Sequence, residues 1–211
     1  MQKLLHNAYA ALRARPRLVA LAATATVVLT AVGGGLFTTT NCSGATYPEP
    51  SESPYVLPFQ AGYESYLSQS NCDGFHNELD WFAYDFDMPV GTSVLAARAG
   101  VVTWVQDAYT DGDHDFHHSN TVEIRHADGS FAQYLHLTRD GALVEVGDSV
   151  AQGQVIGISG YTGLTGPREH LHFVVLEFPN GSRRKSIPVT FRNVDGRQPL
   201  REDRVYRALS N

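Results

Sequence analysis

The stretch TVEIRHADGSFAQYLH, residues 121–136, decides the fold because two runs rich in β-branched and aromatic residues flank a turn sequence. The pair Asp128-Gly129 is a strong short-range signal for a tight hairpin, so residues 121–126 and 130–136 are predicted to form antiparallel strands. Similar runs separated by Gly, Asp and Asn recur along the chain, and no amphipathic pattern of helix length interrupts them. From Tyr84 onward, these runs are residues 93–97, 100–106, 150–159 and 171–178. The fold class predicted from these runs is mostly β.

The composition fits one such domain with an appendage. The chain has 211 residues, of which 43% are hydrophobic and 18% charged, enough to bury one sizeable core. The first 48 residues carry four basic and no acidic side chains, so the remainder holds 12 basic against 22 acidic residues, a net −10. A domain this acidic cannot neutralise many phosphates, so no nucleic-acid partner is expected. A monomer is expected.

The N-terminus indicates export. Residues 1–17 form a basic segment, and residues 18–37 contain no charged side chain. A helix of that length, at about 1.5 Å per residue, crosses a hydrocarbon core of about 30 Å. The positive-inside rule leaves the basic segment in the cytoplasm and the rest in the periplasm or at the cell surface. The hydrophobic helix is either a membrane anchor or a signal segment cleaved near Ser43-Gly44-Ala45.

The remaining chain divides by composition. Residues 38–58 are predicted to form a linker because residues 43–58 are rich in Ser, Pro and Glu. Residues 59–190 form the predicted domain, and residues 191–211 form a tail whose spacing allows a short helix. Export makes a disulfide between Cys42 and Cys72 possible, and the sequence leaves open whether the two pair.

His170-Leu171-His172 carries the sharpest chemical signal. Side chains alternate faces along a strand, so both histidines project the same way and can converge on one small volume. That arrangement suits one metal ligand and one neighbouring base. A catalytic zinc needs about three protein ligands and an open position for water, which then attacks a carbonyl near neutral pH.

Six motifs in order surround this pair. They are DFDMPVGTSVLA (85–96), GVV (100–102), YLHL (134–137), VGDSVAQGQVIG (146–157), GYTG (160–163) and HLHF (170–173). Over about residues 75–180 this series resembles the lysostaphin/LytM-type zinc metallopeptidases, the peptidoglycan endopeptidases. The resemblance implies the compact antiparallel fold of that family, a Zn²⁺ cofactor and hydrolysis of peptide bonds in bacterial peptidoglycan, whose peptides are then the substrate.

The resemblance also implies roles for individual residues. Asp85 and His172 match the family's metal-binding aspartate and second H-x-H histidine. His170 matches the base near the attacking water. His136 matches the other active-site histidine, which polarises water or stabilises the developing oxyanion.

The first histidine ligand departs from the familiar pattern, since Trp81 stands four residues before Asp85, where many members have histidine. His76 is the replacement we expect, paired with Asp85 at the longer spacing. The alternative pairs His76 with Asp80, which is detached from the motif that follows. A second departure is the insertion Pro167-Arg168-Glu169 before His170, which makes Glu169 a candidate modifier of the base.

The sequence also allows other interpretations. The loss of a ligand would turn the domain into a non-catalytic module that binds cell-wall peptides or regulates another hydrolase. His114, His117 and His118 lie in an acidic loop that is expected to be a solvated rim of the groove rather than a metal site. His126, at a hairpin end, is expected to be structural.

Overall fold

The computed structural model describes residues 44–74, 76, 80–178 and 184–210. The chain divides into two units, 1–38 and 39–211, and all the described residues belong to the second. The predicted basic N-terminus, the hydrophobic segment and Cys42 lie outside the described residues. None of the helices in the described part of the chain has the length and hydropathy that crossing a bilayer requires.

The described residues form two antiparallel sheets, which confirms the mostly β prediction. The larger sheet has the strand order β12-β1-β2-β10-β6-β5-β4-β8, with β11 paired to β10, and the smaller has the order β3-β9-β7. A 3₁₀ turn, Pro50–Glu52, precedes the first strand. The strands are β1 Glu64–Gln69, β2 Tyr84–Asp87, β3 Ser93–Leu95, β4 Gly100–Gln106, β5 Thr121–Arg125, β6 Phe131–Leu135, β7 Leu137–Ala142, β8 Ser149–Val150, β9 Val155–Ser159, β10 His170–Glu177, β11 Lys185–Ser186 and β12 Arg204–Arg207.

The hairpin predicted from the Asp128-Gly129 turn is confirmed. Strands β5 and β6 pair in antiparallel register, with Thr121 opposite Leu135. The Gly129 backbone has φ +85°, a left-handed conformation that glycine adopts without strain. The predicted run 150–159 instead splits into β8 and β9, because a turn intervenes in which the Gln154 N–H donates to the Ala151 carbonyl at 3.1 Å.

Strand β10 lies in the middle of the larger sheet and is buried along nearly its whole length. Its neighbours are β2 on one side and β6 on the other. Leu171 and Phe173 pack into the core with Phe86 and Tyr134. A strand fixed by two neighbours and by core packing is a rigid support for the histidines it carries.

The second half of the predicted linker packs against the domain. Tyr55, Leu57 and Phe59 are each less than 5% exposed and belong to the main core. The Val56 N–H donates to the Ala97 carbonyl at 2.9 Å. We call residues 53–59 the N-terminal strap.

The C-terminal segment also differs from its prediction. Residues 204–207 form strand β12, antiparallel to β1, rather than a short helix. Phe191, Leu200 and Tyr206 are buried in the main core. The Arg192 N–H donates to the carbonyl of Tyr55 at 3.0 Å, so this segment and the N-terminal strap contact each other.

Candidate metal centre and active site

The pairing of β2 with β10 brings Asp85 beside His172. The register places His172 opposite Asp85 and His170 opposite Asp87. Directly opposite residues project to the same face of an antiparallel pair, so these four side chains share one face. The Nδ1 atom of His172 lies 2.9 Å from Oδ1 of Asp85.

His76 reaches the same carboxylate from the loop between β1 and β2. Its Nε2 atom lies 3.2 Å from Asp85 Oδ1, and its Nδ1 lies 2.8 Å from the carbonyl oxygen of Ser70. The loop is held by the Cys72 N–H, which donates to the Trp81 carbonyl at 2.7 Å. Cys72 is also disulfide-bonded.

The three residues offer ligand atoms that all lie within 4.8 Å of one another, and all three side chains are buried. Among the described residues this is the one group of three or more potential ligands that could hold a metal ion, and it contains Asp85 rather than Asp80. The loop histidines His114, His117 and His118 do not belong to it. The site that the sequence predicts is therefore brought together by the fold.

The donor chemistry of this group fits a zinc ion. The Nδ1–H of His76 donates to the Ser70 carbonyl, and its Nε2 faces Asp85 Oδ1. His172 directs a second ring nitrogen at the same oxygen. Two nitrogens facing one carboxylate oxygen need a cation or protons between them, and two imidazoles with one carboxylate are a known catalytic zinc set. A backbone carbonyl that holds the other nitrogen of a ligating histidine is also typical.

The electrostatics of the group follow from its burial and proximity. Burial raises the pKa of Asp85, but the charges of His170 and His76 and the hydrogen bonds from His172 and His76 outweigh it, and the pKa lies well below its usual value. Burial lowers the pKa of His76, but the carboxylate of Asp85 outweighs it and raises the pKa above 6.5. Asp85 is thus an anion that draws cations into the site.

His170 and His136 stand next to this group. The Nδ1 of His170 lies 3.0 Å from the carbonyl oxygen of Arg168, and its Nε2 lies 3.7 Å from Asp85 Oδ1. The rings of His136 and His170 are 4.8 Å apart, and those of His136 and His172 are 5.9 Å apart. The five side chains predicted for the site therefore cluster at one place in the fold.

The backbone holds His136 in an unusual conformation. Its φ is 66°, in the left-handed region, at the junction of β6 and β7. Its Nδ1 lies 2.6 Å from the Thr162 carbonyl oxygen and 3.3 Å from Ser119 Oγ. Burial lowers its pKa well below 6.5, and the neighbouring His170 and His172 lower it further. His136 is therefore neutral at physiological pH.

Two loops form a wall beside His136. Residues 107–120 contact residues 160–165 through hydrogen bonds from the Gly112 N–H to the Tyr161 carbonyl at 2.8 Å and from the Gly163 N–H to the Asp113 carbonyl at 2.8 Å. His118 stacks on Tyr109, and its Nδ1 lies 2.8 Å from an Asp113 carboxylate oxygen. His114 packs edge-on against Tyr161. These histidines are part of the loop structure, beside the site.

The inserted residues before His170 are anchored to neighbouring strands. The Glu169 carboxylate accepts a hydrogen bond from the Val90 N–H at 2.9 Å, so it secures the turn after β2 instead of contacting the base. The Arg168 guanidinium pairs with Asp87 at 2.7 Å and lies over the Tyr66 ring at 5.4 Å.

Sequence reasoning missed the groups that hold the histidines in place. Three of them are backbone carbonyls, of Ser70, Thr162 and Arg168. Every residue has a backbone carbonyl, so the residue type does not reveal which carbonyl holds a histidine. Of the three positions, only Thr162 lies in one of the motifs, GYTG. The aromatic residues Tyr84, Phe86 and Phe173, which lie on the same two strands as the site, are fully buried in the core.

His126 is buried, as a structural residue would be. Its Nδ1 lies 2.9 Å from the Ala99 carbonyl oxygen, and its ring packs edge-on against Tyr55 of the N-terminal strap. The Nε2 atom is buried and has no hydrogen-bond partner among the described residues.

Comparison of the sequence with known proteins identifies a family. The family model of peptidase family M23 matches residues 80–185. The chain is 37% identical over 106 residues to peptidoglycan DD-endopeptidase ShyA of Vibrio cholerae, covering 50% of this chain and 23% of that protein. It is 33% identical over 109 residues to lysostaphin of Staphylococcus simulans, covering 51% and 20%. The aligned part thus spans a quarter or less of these curated relatives.

A solved structure shares the fold. The M23 metalloprotease pseudoalterin, from the deep sea, matches with a TM-score of 0.50 at 19% identity, covering 68% of this chain and 80% of that one. At this identity the likeness concerns the fold alone.

Proposed function

Because the chain belongs to peptidase family M23, we propose that it is an exported, zinc-dependent endopeptidase that hydrolyses peptide bonds in bacterial peptidoglycan. The observation that carries the proposal is the convergence of His76, Asp85 and His172, whose ligand atoms lie within 4.8 Å of one another in a buried site. His170 and His136 stand beside that group. In this proposal His76, from the loop before β2, takes the place of the histidine ligand that many family members carry four residues before the aspartate.

His76, Asp85 and His172 would hold the zinc ion through two imidazole nitrogens and one carboxylate oxygen. When bound, Zn²⁺ supplies a Lewis acid that polarises a carbonyl and makes a water acidic enough to attack it near neutral pH. The Ser70 carbonyl fixes the His76 tautomer, since it accepts the Nδ1–H and leaves Nε2 free. The paired strands β2 and β10 hold Asp85 and His172 at a fixed separation.

His170 and His136 handle protons. Each has a backbone carbonyl next to Nδ1, from Arg168 and from Thr162, which places the ring proton there and leaves Nε2 as an acceptor. His170 can therefore take the proton of the attacking water at Nε2 and return it to the leaving amine nitrogen. Because His136 is neutral with its ring proton on Nδ1, it accepts a hydrogen bond from that water at Nε2 and so orients it.

The names of the relatives indicate the substrate class, and the sequence of the N-terminus indicates the compartment. ShyA is named a peptidoglycan DD-endopeptidase, and a further relative, from Staphylococcus capitis, is named a glycyl-glycine endopeptidase. Peptide cross-links of the cell wall are therefore the substrate class we propose. Residues 18–37, which carry no charge and follow a basic segment, support export and, if uncleaved, a membrane anchor.

The experiment uses the full chain and three variants. Zinc content is measured by elemental analysis, and release of soluble peptides from purified peptidoglycan is followed by mass spectrometry. The wild type should hold close to one zinc per chain, and His76→Ala and Asp85→Ala should lose both zinc and activity. Asp80→Ala is the matched control and should keep both.

Three results would contradict the proposal in whole or in part. A wild-type protein that binds no zinc after the metal is added would lack the centre on which the chemistry depends. Loss of zinc in Asp80→Ala but not in Asp85→Ala would overturn the choice of aspartate. Zinc binding without peptide release would limit the domain to a metal-binding module.

A further inference from the structure

A groove lined by arginines lies at the β12 edge of the larger sheet. It encloses about 910 Å³ and is lined by residues 61–62, by the loop residues 195–197 and 201, and by residues 204–210. Four of the lining residues are arginines: Arg197, Arg201, Arg204 and Arg207. All four are exposed. We call this feature the arginine groove.

The charge of the groove is opposite to that of the domain. After residue 48 the chain has 12 basic and 22 acidic residues, and 4 of those 12 line this one groove. Among the described lining residues, Asp195 is the one acidic residue. The ion pairs formed among the described residues involve Arg98, Arg139, Arg168, Arg184 and Lys185 but none of the four groove arginines.

Four guanidinium groups with one carboxylate among them leave a net positive charge whose members repel one another, and a bound anion reduces that repulsion. A concave surface of one sign also concentrates its field and attracts counter-ions from solution. Guanidinium groups present planar forks of N–H donors that match phosphate and carboxylate oxygens. Four such groups around one groove suit a ligand with several anionic groups rather than a single small ion.

A sequence of contacts leads from the arginine groove to the proposed active site. Val205 in the groove lies opposite Tyr66 of β1. The guanidinium of Arg168 lies over the Tyr66 ring and pairs with Asp87. Asp87 lies opposite His170 on β10. A polymer held in the groove is therefore retained on the same part of the larger sheet as the site.

We propose that the arginine groove binds a linear polymer with repeated phosphodiester groups in the cell wall and so holds the enzyme beside its peptide substrate. The proposal rests on the proposed function for its choice of cell wall as the source. A polymer is favoured over a membrane surface because the site is concave. Among the described lining residues, Val205 is the one large hydrophobic side chain that is strongly exposed, at 59%.

The test measures binding of the full chain to poly(glycerol phosphate) by calorimetry at low and moderate salt. The double variant Arg201→Gln with Arg204→Gln should weaken binding at least tenfold, and added salt should weaken the wild type in the same direction. The matched control is Arg125→Gln with Lys185→Gln, which removes two exposed charges outside the groove and should bind like the wild type. Circular dichroism of each variant checks that it is folded.

Other probes separate the sources of the anion. Polyglutamate of equal charge tests carboxylates, and phosphatidylglycerol vesicles test a lipid surface. Equal binding of wild type and groove variant to poly(glycerol phosphate), or no binding by either, overturns the proposal. Vesicle binding that falls in the groove variant, without polymer binding, also overturns it and assigns the groove to a membrane.

The assay is independent of catalysis. Asp85→Ala, which should lack zinc and activity, should bind the polymer like the wild type. If this variant binds the polymer and the wild type releases no peptides, the proposal for the groove is supported while the proposed function is contradicted. An active wild type that does not bind the polymer would overturn the groove's role while the proposed function stands.

Discussion

The backbone conformation and hydrogen bonds of His136 fix the orientation of its ring. Its backbone lies in the left-handed region at φ 66°, a conformation that costs about 1 kcal/mol or more for a residue with a side chain. The Thr162 carbonyl and the Ser119 hydroxyl both contact its Nδ1. Its Nε2 is therefore available to the site, and the ring stays neutral because burial lowers its pKa.

Replacement of His136 should separate catalysis from metal binding. His136→Gln should keep its zinc, because the three ligands are untouched, while kcat on a cross-link peptide should fall by about 10²–10⁴-fold, the usual contribution of a positioned acid–base group. Zinc content and kcat are measured on the same preparation. His117→Gln, on the exposed loop, is the control and should keep both. Loss of zinc from His136→Gln would instead give this histidine a structural or ligand role.

His126 should make stability depend on pH. Burial lowers its pKa from 6.5, so below pH 6.5 the unfolded chain takes up a proton that the folded chain does not. Stability from this residue is therefore lost as pH falls below 6.5, until the folded pKa is reached. Between pH 7.5 and 5.5 the loss is up to about 1.4 kcal/mol.

The measurement is the free energy of unfolding by urea at both pH values for wild type, His126→Asn and His117→Gln. His126→Asn should show a smaller loss between the two pH values, whereas exposed His117→Gln should match the wild type. Each substitution also changes the free energy of unfolding by an amount that does not depend on pH. This amount cancels when the values at the two pH values are subtracted. An equal loss in all three proteins would show that other groups set the acid sensitivity.

The site residues were largely predictable from the sequence, because residue type and spacing carry their chemistry. The alternation of His170 and His172 predicts one shared face, and the motif order identifies Asp85 and His136. The position of His76 was harder to predict, since the conformation of a loop, rather than the alternation of a strand, decides whether His76 reaches Asp85. The carbonyls of Ser70, Thr162 and Arg168 were not predictable, because every residue has one.

At the scale of elements, predictions succeeded where apolar residues alternate or a turn has a specific chemistry. The β5–β6 hairpin is one such case, with Asp-Gly at its turn. The sequence predictions did not identify strand β12 or the burial of the N-terminal strap. A short extended segment that docks on a distant part of the chain has no internal period, and its burial depends on partners far away in sequence, such as Thr190 for Ser53.

The N-terminal strap should contribute to stability as core does. Leu57 is 1% exposed, so Leu57→Ala should reduce the free energy of unfolding by about 2–5 kcal/mol. Leu143→Ala removes the same atoms from a side chain that is 55% exposed and should change it by less than about 0.5 kcal/mol. Urea unfolding of the full chain measures both. Equal small effects would mean that residues 53–59 behave as a linker after all.

On the scale of the whole molecule, the family region and the folded unit differ in extent. The family match ends at residues 80 and 185, but the main core draws on residues from both sides of it. The buried residues outside the match include Tyr55, Leu57, Phe59, Leu67, Val189, Phe191, Leu200 and Tyr206. β1, which covers one edge of β2, also lies outside it.

A fragment of residues 80–185 should therefore fail to fold on its own. It would leave β2 with an uncovered edge and would lack the packing partners of Phe86 and Phe173, such as Phe191. It would also lack His76, so zinc could not restore the missing stability through the full set of ligands. Thermal unfolding followed by circular dichroism should show a cooperative transition for the full chain and none for the fragment, with or without zinc. A cooperative transition in the fragment at a similar temperature would show that residues 80–185 fold without the flanking segments. Their burial would then reflect docking onto a preformed sheet instead of a shared folding unit.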